Sequence, residues 1–184
     1  MNWNAVFEKE YMKIDGLSKD DLQRFLCAWN MPMSEEEIAE IVERQQNPFP
    51  VTDPLYSQYK PFDPSRWTLP QKKLPISYID FLQYSNGGEF VNGERYFQFF
   101  SAADFRVMNL AYEFPEYMRG AVSLGMDGCG NHYIFDMRED MMDGEYPIVA
   151  AHSGNLGYED CKKIADSLAD LCRGTTSVED ELND

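Results

Sequence analysis

A chain of 184 residues with 43% hydrophobic and 14% aromatic content can bury a core of its own, which excludes a disordered polymer and points to one domain with an appendage. Its 32 Asp and Glu against 16 Lys and Arg give a formal net charge of −16, which repels phosphate backbones and argues against direct nucleic-acid binding. The same charge attracts a basic protein partner, although acidic surfaces also serve solubility alone. Cys27, Cys129, Cys161 and Cys172 show no tight pairing pattern, and the first residues, Met1 to Ala5, lack a charged-then-apolar leader. Apolar runs fall far short of the roughly 20 residues of a membrane span, so the expected home is a reducing cytoplasm away from membranes.

Residues 1 to 16 carry no clear period, although Val6, Tyr11 and Ile14 can pack, and no element is assigned there. Ser18 with Asp21 then forms a capping pair, and Leu22, Phe25, Leu26 and Trp29 follow at helical spacing, which predicts a helix over 18–29. Asn30 to Met33 breaks it. Ser34 with Glu37 makes a second capping box ahead of Ile38, Ile41 and Val42, and the acidic run Glu35 to Glu37 suits a helix N-terminus. Residues 1–46 are therefore an N-terminal helical extension built on an αα-hairpin, which either packs on the main core or forms a recognition arm. In 47–73 the prolines at 48, 50, 54, 61, 64 and 70 exclude a long helix and an interior strand. Phe49, Tyr56, Tyr59, Phe62 and Trp67 are too many aromatics for a solvated linker, so this connector wraps the surface or lines a groove.

From Leu74 to Phe90 the pattern is a buried helix with a sharp stop. Pro75 suits a first helical turn; Ile76, Ile79 and Leu82, with Tyr78 and Phe81, make a broad apolar arc that leaves Asp80 and Gln83 to solvent. Asn86-Gly87-Gly88 accepts left-handed backbone and ends the helix. Residues 89–100 read as a hairpin about an Asn92-Gly93 type I′ turn, with Phe97 and Phe99 on one face and Tyr96, Gln98 and Phe100 on the other. Ser101 and Asp104 cap a helix through about Tyr112. Strands at 121–126 and 131–137 flank the turn Asp127 to Gly130, their alternation implying one buried face. Tyr146 to His152 is a further strand with an exit turn at 153–157. A last helix carries Cys161, Ile164, Ala165, Leu168 and Leu171 on one stripe, with Lys162, Lys163, Asp166 and Asp170 outside, and stops at Gly174. The acidic tail 175–184 is expected to be mobile. Hairpin-joined strands with helices at both ends imply an α+β domain whose sheet is largely antiparallel.

Leu74-Pro75, the aromatic helix and Asn86-Gly87-Gly88 form one block; Leu124 to Asp136, with its glycine-rich turn and closing aspartate, forms a second. A Pro147-Ile148-Val149 strand and an amphipathic helix follow in order. Over Leu69 to Arg173 this arrangement resembles the SMI1/KNR4 (SUKH) superfamily. The resemblance implies an SMI1/KNR4-like α+β domain at 74–174, flanked by the extension and tail. It also implies that bacterial relatives are cytoplasmic immunity proteins that block a cognate toxin, often a nuclease, while fungal relatives regulate cell-wall synthesis through partner proteins.

Catalytic readings are weak. Cys129 and His132 lack a third residue to fix the imidazole, and alone they are half of a zinc site. Asp127, Asn131 and Asp136 lack calcium-loop spacing, and neither a phosphate-binding loop nor a dinucleotide fingerprint is present. No catalytic residue, metal or cofactor is expected, and the work is binding. Most signature positions, among them Gly87, Gly88, Gly125 and Gly130, are explained by turns and packing. The expected partner contacts are loop carboxylates, namely Glu89, Glu94, Glu113, Glu116, Asp127, Glu139, Asp140, Asp143 and Glu145, with Trp67, Tyr112 and Tyr117 as aromatic anchors. The expected partner is a basic toxin domain; the alternative is a regulatory or scaffold module binding an endogenous protein or a small ligand beside the sheet.

Overall fold

The aromatic helix expected at the centre is α3 (Ile76–Tyr84), and in the computed structural model, which describes residues 2–183, it lies against the inner face of a sheet. Met1 and Asp184, the outermost residues of the predicted extension and tail, lie outside the described residues. Tyr78, Phe81 and Leu82 are fully buried, with Tyr78 at ring distance from Phe105 and Phe135, and Phe81 from Phe99. Two details of the expectation change. Pro75 is the N-cap and Ile76 is 69% exposed, so the buried arc begins at Tyr78. The helix also ends without a left-handed cap, because Ser85 is already extended (φ −147°) and opens strand β2 (Ser85–Asn92). Gly87 and Gly88 do take positive φ, but for closeness of approach: a Cβ on Gly88 would sit 2.2 Å from the Met12 carbonyl oxygen, and one on Gly87 2.7 Å from the Ser101 nitrogen. Asn86 Oδ1 accepts from the Ala102 N–H at 2.8 Å, so the motif welds a three-way junction.

The unassigned N-terminus supplies the strand that meets this junction, β1 (Lys9–Asp15). With β2, β3 (Arg95–Phe99), β4 (Ala121–Met126), β5 (Asn131–Asp136), β6 (Ile148–His152) and β7 (Lys162–Ala165) it forms a seven-stranded antiparallel sheet in sequence order, an α+β fold. Asn92 pairs with Arg95, so the hairpin turn is Gly93-Glu94, one residue later than Asn92-Gly93, and of the two only Gly93 has positive φ. Tertiary contacts decide this register: the Asn92 amide donates to the Cys172 carbonyl at 3.1 Å and the Glu94 N–H to Thr175 at 2.8 Å. Between β3 and β4 the ladder shrinks to Gln98–Met126 and Phe99–Gly125. Helix α4 (Ala102–Ala111), capped by Ser101, fills the gap, and its buried Asn109 side chain takes the Ser123 N–H (2.7 Å) and gives to the Ser123 carbonyl (2.8 Å) as a neighbouring strand would.

Helix α1 (Lys19–Ala28), with Ser18 as N-cap, turns Leu22, Phe25 and the following Trp29 into the core and packs on α3 and α4. Helix α2 (Glu35–Arg44) has both halves of its capping box and buries Ile41 against Trp67 and Leu110, while Val42 is 53% exposed. The Arg106 guanidinium ties the α1–α2 turn down, pairing with Glu37 and donating to the carbonyls of Trp29 (3.0 Å) and Met31 (2.9 Å). Burial of β4 and β5 departs from the one-faced expectation, since both faces are covered. The short helix α5 (Phe114–Tyr117) and Met118 lie over Ile134, Val149 and Ala151 on the outer side.

The predicted last helix is two elements. Residues 162–165 pair with Ile148 to Ala150 as β7, and α6 (Leu168–Arg173) begins only at the Ser167 cap, because the free edge of β6 claims the backbone groups of the first half. The tail is packed rather than mobile. Fully buried Arg95 donates to the carbonyls of Thr176 (2.8 Å) and Leu171 (3.2 Å) and pairs with Glu181, and Val178, at the start of α7 (Val178–Asn183), is in the core. No described helix is long and apolar enough to cross a membrane.

Candidate functional site

Between β5 and β6, residues 137–147 leave the sheet as an acidic finger. Its base is fastened on three sides. Arg138 pairs with Asp136 (2.7 Å) and lies 3.6 Å from the Tyr158 ring centroid. Lys72, from the connector, donates to the Glu139 carbonyl at 2.8 Å and meets the Asp140 carboxylate at 3.1 Å. Met137 and Tyr146 are both buried. At the tip Met142 and Glu145 exchange N–H···O bonds of 3.0 Å across Asp143 (φ 53°) and Gly144 (φ 81°), both left-handed as a type I′ turn demands. Asp-Gly suits those two positions, because Asp tolerates left-handed backbone and Gly has no Cβ to resist it.

This turn presents Met142 at 80% exposure, with carboxylates around it. Asp143 and Glu145 share a cleft of about 340 Å³ with Asp166 and Asp170, across from Lys163, which pairs with Asp166. Asp170 is held in place by Ser167, whose hydroxyl caps α6 by accepting from its N–H at 3.1 Å. Asp166 pairs with Lys163 and Asp170 with Arg173 (3.5 Å), so the surplus negative charge of the cleft rests on Asp143 and Glu145. An apolar knob beside such a cluster can seat against a basic surface that has an apolar hollow.

Of the contacts expected from sequence, Glu139, Asp140, Asp143 and Glu145 come together on the finger. The others lie elsewhere. Trp67 is 2% exposed, and its indole N–H donates to Glu116 at 2.9 Å, so its ring anchors the connector inside the fold. Asp127 is likewise buried; its carboxylate accepts from Cys129 N (2.8 Å), Asn131 N (3.0 Å) and Asn131 Nδ2 (2.7 Å) and shapes the β4–β5 turn. Tyr112 is half-buried, edge-on to His132. Glu113 is the left-handed N-cap of α5, its carboxyl pushed up by burial, and Tyr117 stands 46% exposed against Phe62. Glu94 is exposed at the β2–β3 turn; Glu89, half-buried on β2, bonds the Tyr96 hydroxyl, which burial and that carboxylate push up to about 12.

Met142, Asp166 and Asp170 lie beside these carboxylates and were not among the contacts expected from sequence. Asp143-Gly144 was a turn signal that could have exposed Met142; the two aspartates had been assigned to the outside of a helix. His132 and Cys129 do not meet as a pair in one pocket. His132 is fully buried with Nδ1 2.9 Å from Ser123 Oγ, and burial pushes its pKa down to about 4, whereas Cys129 is exposed on the turn. Among the described residues no three or more His, Cys, Asp or Glu side chains are grouped to hold a metal.

The family model described as SMI1 / KNR4 family (SUKH-1) matches residues 68–174. That span includes the finger, the junction at Asn86 to Gly88 and α6, and leaves out β1, α1, α2 and Trp67. No curated protein matches the chain.

Proposed function

The chain belongs to the SMI1/KNR4 (SUKH-1) family, and from that premise we propose that it is a non-catalytic, protein-binding immunity protein. In this reading it acts in the cytoplasm and neutralises a basic toxin that attacks nucleic acid. The acidic finger carries the proposal. Asp143 and Glu145 present negative charge beside the exposed Met142, which supplies an apolar anchor that nucleic acid lacks. A toxin surface built for a polyanion would bind such a finger and be blocked by it. Family membership supports the binding role, since its members serve generally as immunity or regulatory proteins.

The test is to mix the purified chain with the toxin domain encoded beside its gene and to follow association over a range of salt. Tight binding that blocks the toxin, with an on-rate that falls steeply as salt rises, supports the reading. Reversing Asp143 and Glu145 together to Lys is expected to slow association about tenfold or more at low salt, with a smaller effect on dissociation. No binding, or binding indifferent to salt and to the reversals, would favour a regulatory module that uses another surface.

A further inference from the structure

The connector ends in a segment with little freedom of its own. Pro70 and Pro75 fix the backbone φ at its two ends, and Leu69, Pro70, Leu74 and Pro75 are all buried. Lys72 stands between these anchors with its side chain 30% exposed, its ammonium turned toward residues 138–140. A lysine ammonium has three N–H donors, and here they meet three successive residues: the Arg138 carbonyl at 3.3 Å, the Glu139 carbonyl at 2.8 Å and the Asp140 carboxylate at 3.1 Å. A cation that served only to neutralise charge would need Asp140 alone. With two backbone carbonyls in its grip, Lys72 fixes the path of the chain just ahead of Met142.

On its other side the same segment is tied to the N-terminal extension. Asn30, in the turn between α1 and α2, donates through its side-chain amide to the Pro70 carbonyl at 2.9 Å, and the Gln71 side chain donates to the Asn30 carbonyl at 2.7 Å. The carbonyls on either side, those of Trp29 and Met31, are the ones held by Arg106 of α4. A run of polar contacts thus leads from α4 through residues 29–31 and 70–72 to the base of the finger. Its Asn30 link lies outside the span 68–174 that the family model matches. We propose that Lys72 is a positioning residue of the finger and that the N-terminal extension serves to hold it in place; the proposal rests on the reading of the finger as the partner surface. Order imposed on the finger before encounter lowers the entropy lost on binding.

The first test needs no partner. It is amide hydrogen exchange of the full chain, read at Met142 and Glu145, whose N–H groups bond across the tip. Lys72→Met should speed exchange at both by about tenfold or more, with the melting temperature unchanged. Asn30→Ala with Gln71→Ala, remote from the finger, should act in the same direction by about threefold. The second test is binding of the toxin domain encoded beside the gene. Lys72→Met makes an acidic finger more negative, so charge alone would speed association of a basic partner, whereas lost positioning should weaken the complex by about tenfold despite it. Unchanged exchange at the tip in either variant overturns the proposal. So does a loss of protection across the whole sheet in step with a lower melting temperature, which would make Lys72 a support of the fold at large. Faster exchange at the tip with affinity unmoved upholds the positioning and overturns the finger as the partner surface.

Discussion

Strands β5 and β1 belong to one sheet, yet their surroundings are opposite. In β5 every residue from Asn131 to Phe135 is buried, with Tyr133 and Phe135 turned to the α3 side and Ile134 packed under Phe114 and Met118. In β1 all seven residues are exposed. The cause is where the chain spends its helices. After β3 it leaves the sheet for α4 and α5 and returns at β4, so the second cover lies over β4–β6 only, and the ladder between the halves narrows to two residue pairs where α4 wedges in. The finger springs from the doubly covered half, between β5 and β6, and the singly covered half leaves β1 to solvent.

The contrast is sharpest for side-chain truncation. Ile134→Ala should cost about 2–5 kcal/mol in urea unfolding, whereas Tyr11→Ala on the open face should stay within about 0.5 kcal/mol. Equal costs would break the distinction between the halves. Next comes the seam. Asn109→Leu leaves the buried N–H and carbonyl of Ser123 without partners, a loss of about 1–3 kcal/mol for each group, and the Ser123 amide should lose its hydrogen-exchange protection.

Acid should reveal the covered half through His132. Burial holds its pKa near 4, against the pull of the Asp127 carboxylate, while the unfolded chain takes up that proton near 6.5. Stability from this group is therefore whole above pH 6.5 and drains away as pH falls from 6.5 to about 4; in a pH series of melts, His132→Leu should flatten that slope. Below that window Glu37, its pKa lowered by hydrogen bonds from Arg106, loses its ion pair as well, and this loss should persist in the variant. The smallest stability effect is expected at the finger, where Met142→Ala should shift unfolding by less than about 0.5 kcal/mol while weakening the partner complex. A large loss of stability there would mean that the tip is structural.

Legibility followed how local the deciding force was. Helices α1, α2 and α4 begin at Ser18, Ser34 and Ser101, each accepting from the N–H three residues on, so a few neighbouring residues sufficed to predict them. Strands β4 and β5 declared themselves by alternation and by the Asp127 turn. Edge strands did not: β1 exposes every side chain and so has no alternation to read, and β7 was hidden inside a helical stripe that ends where β6 offers backbone partners. The candidate site divided in the same way. Asp143 and Glu145 were readable as loop carboxylates, but Asp166 and Asp170 reach the same cleft only through the β6–β7 pairing.

Composition, capping residues and turn dipeptides were enough to determine an acidic α+β protein with its family motifs in order, because each acts over a few residues of chain. The tertiary structure alone decided the hairpin register, the burial of Trp67 and Asp127, the docking of the tail on Arg95 and the uncovered face of β1–β3. Each of these turns on a hydrogen bond or an apolar contact between segments far apart in sequence, and only the folded chain brings such groups within reach of one another.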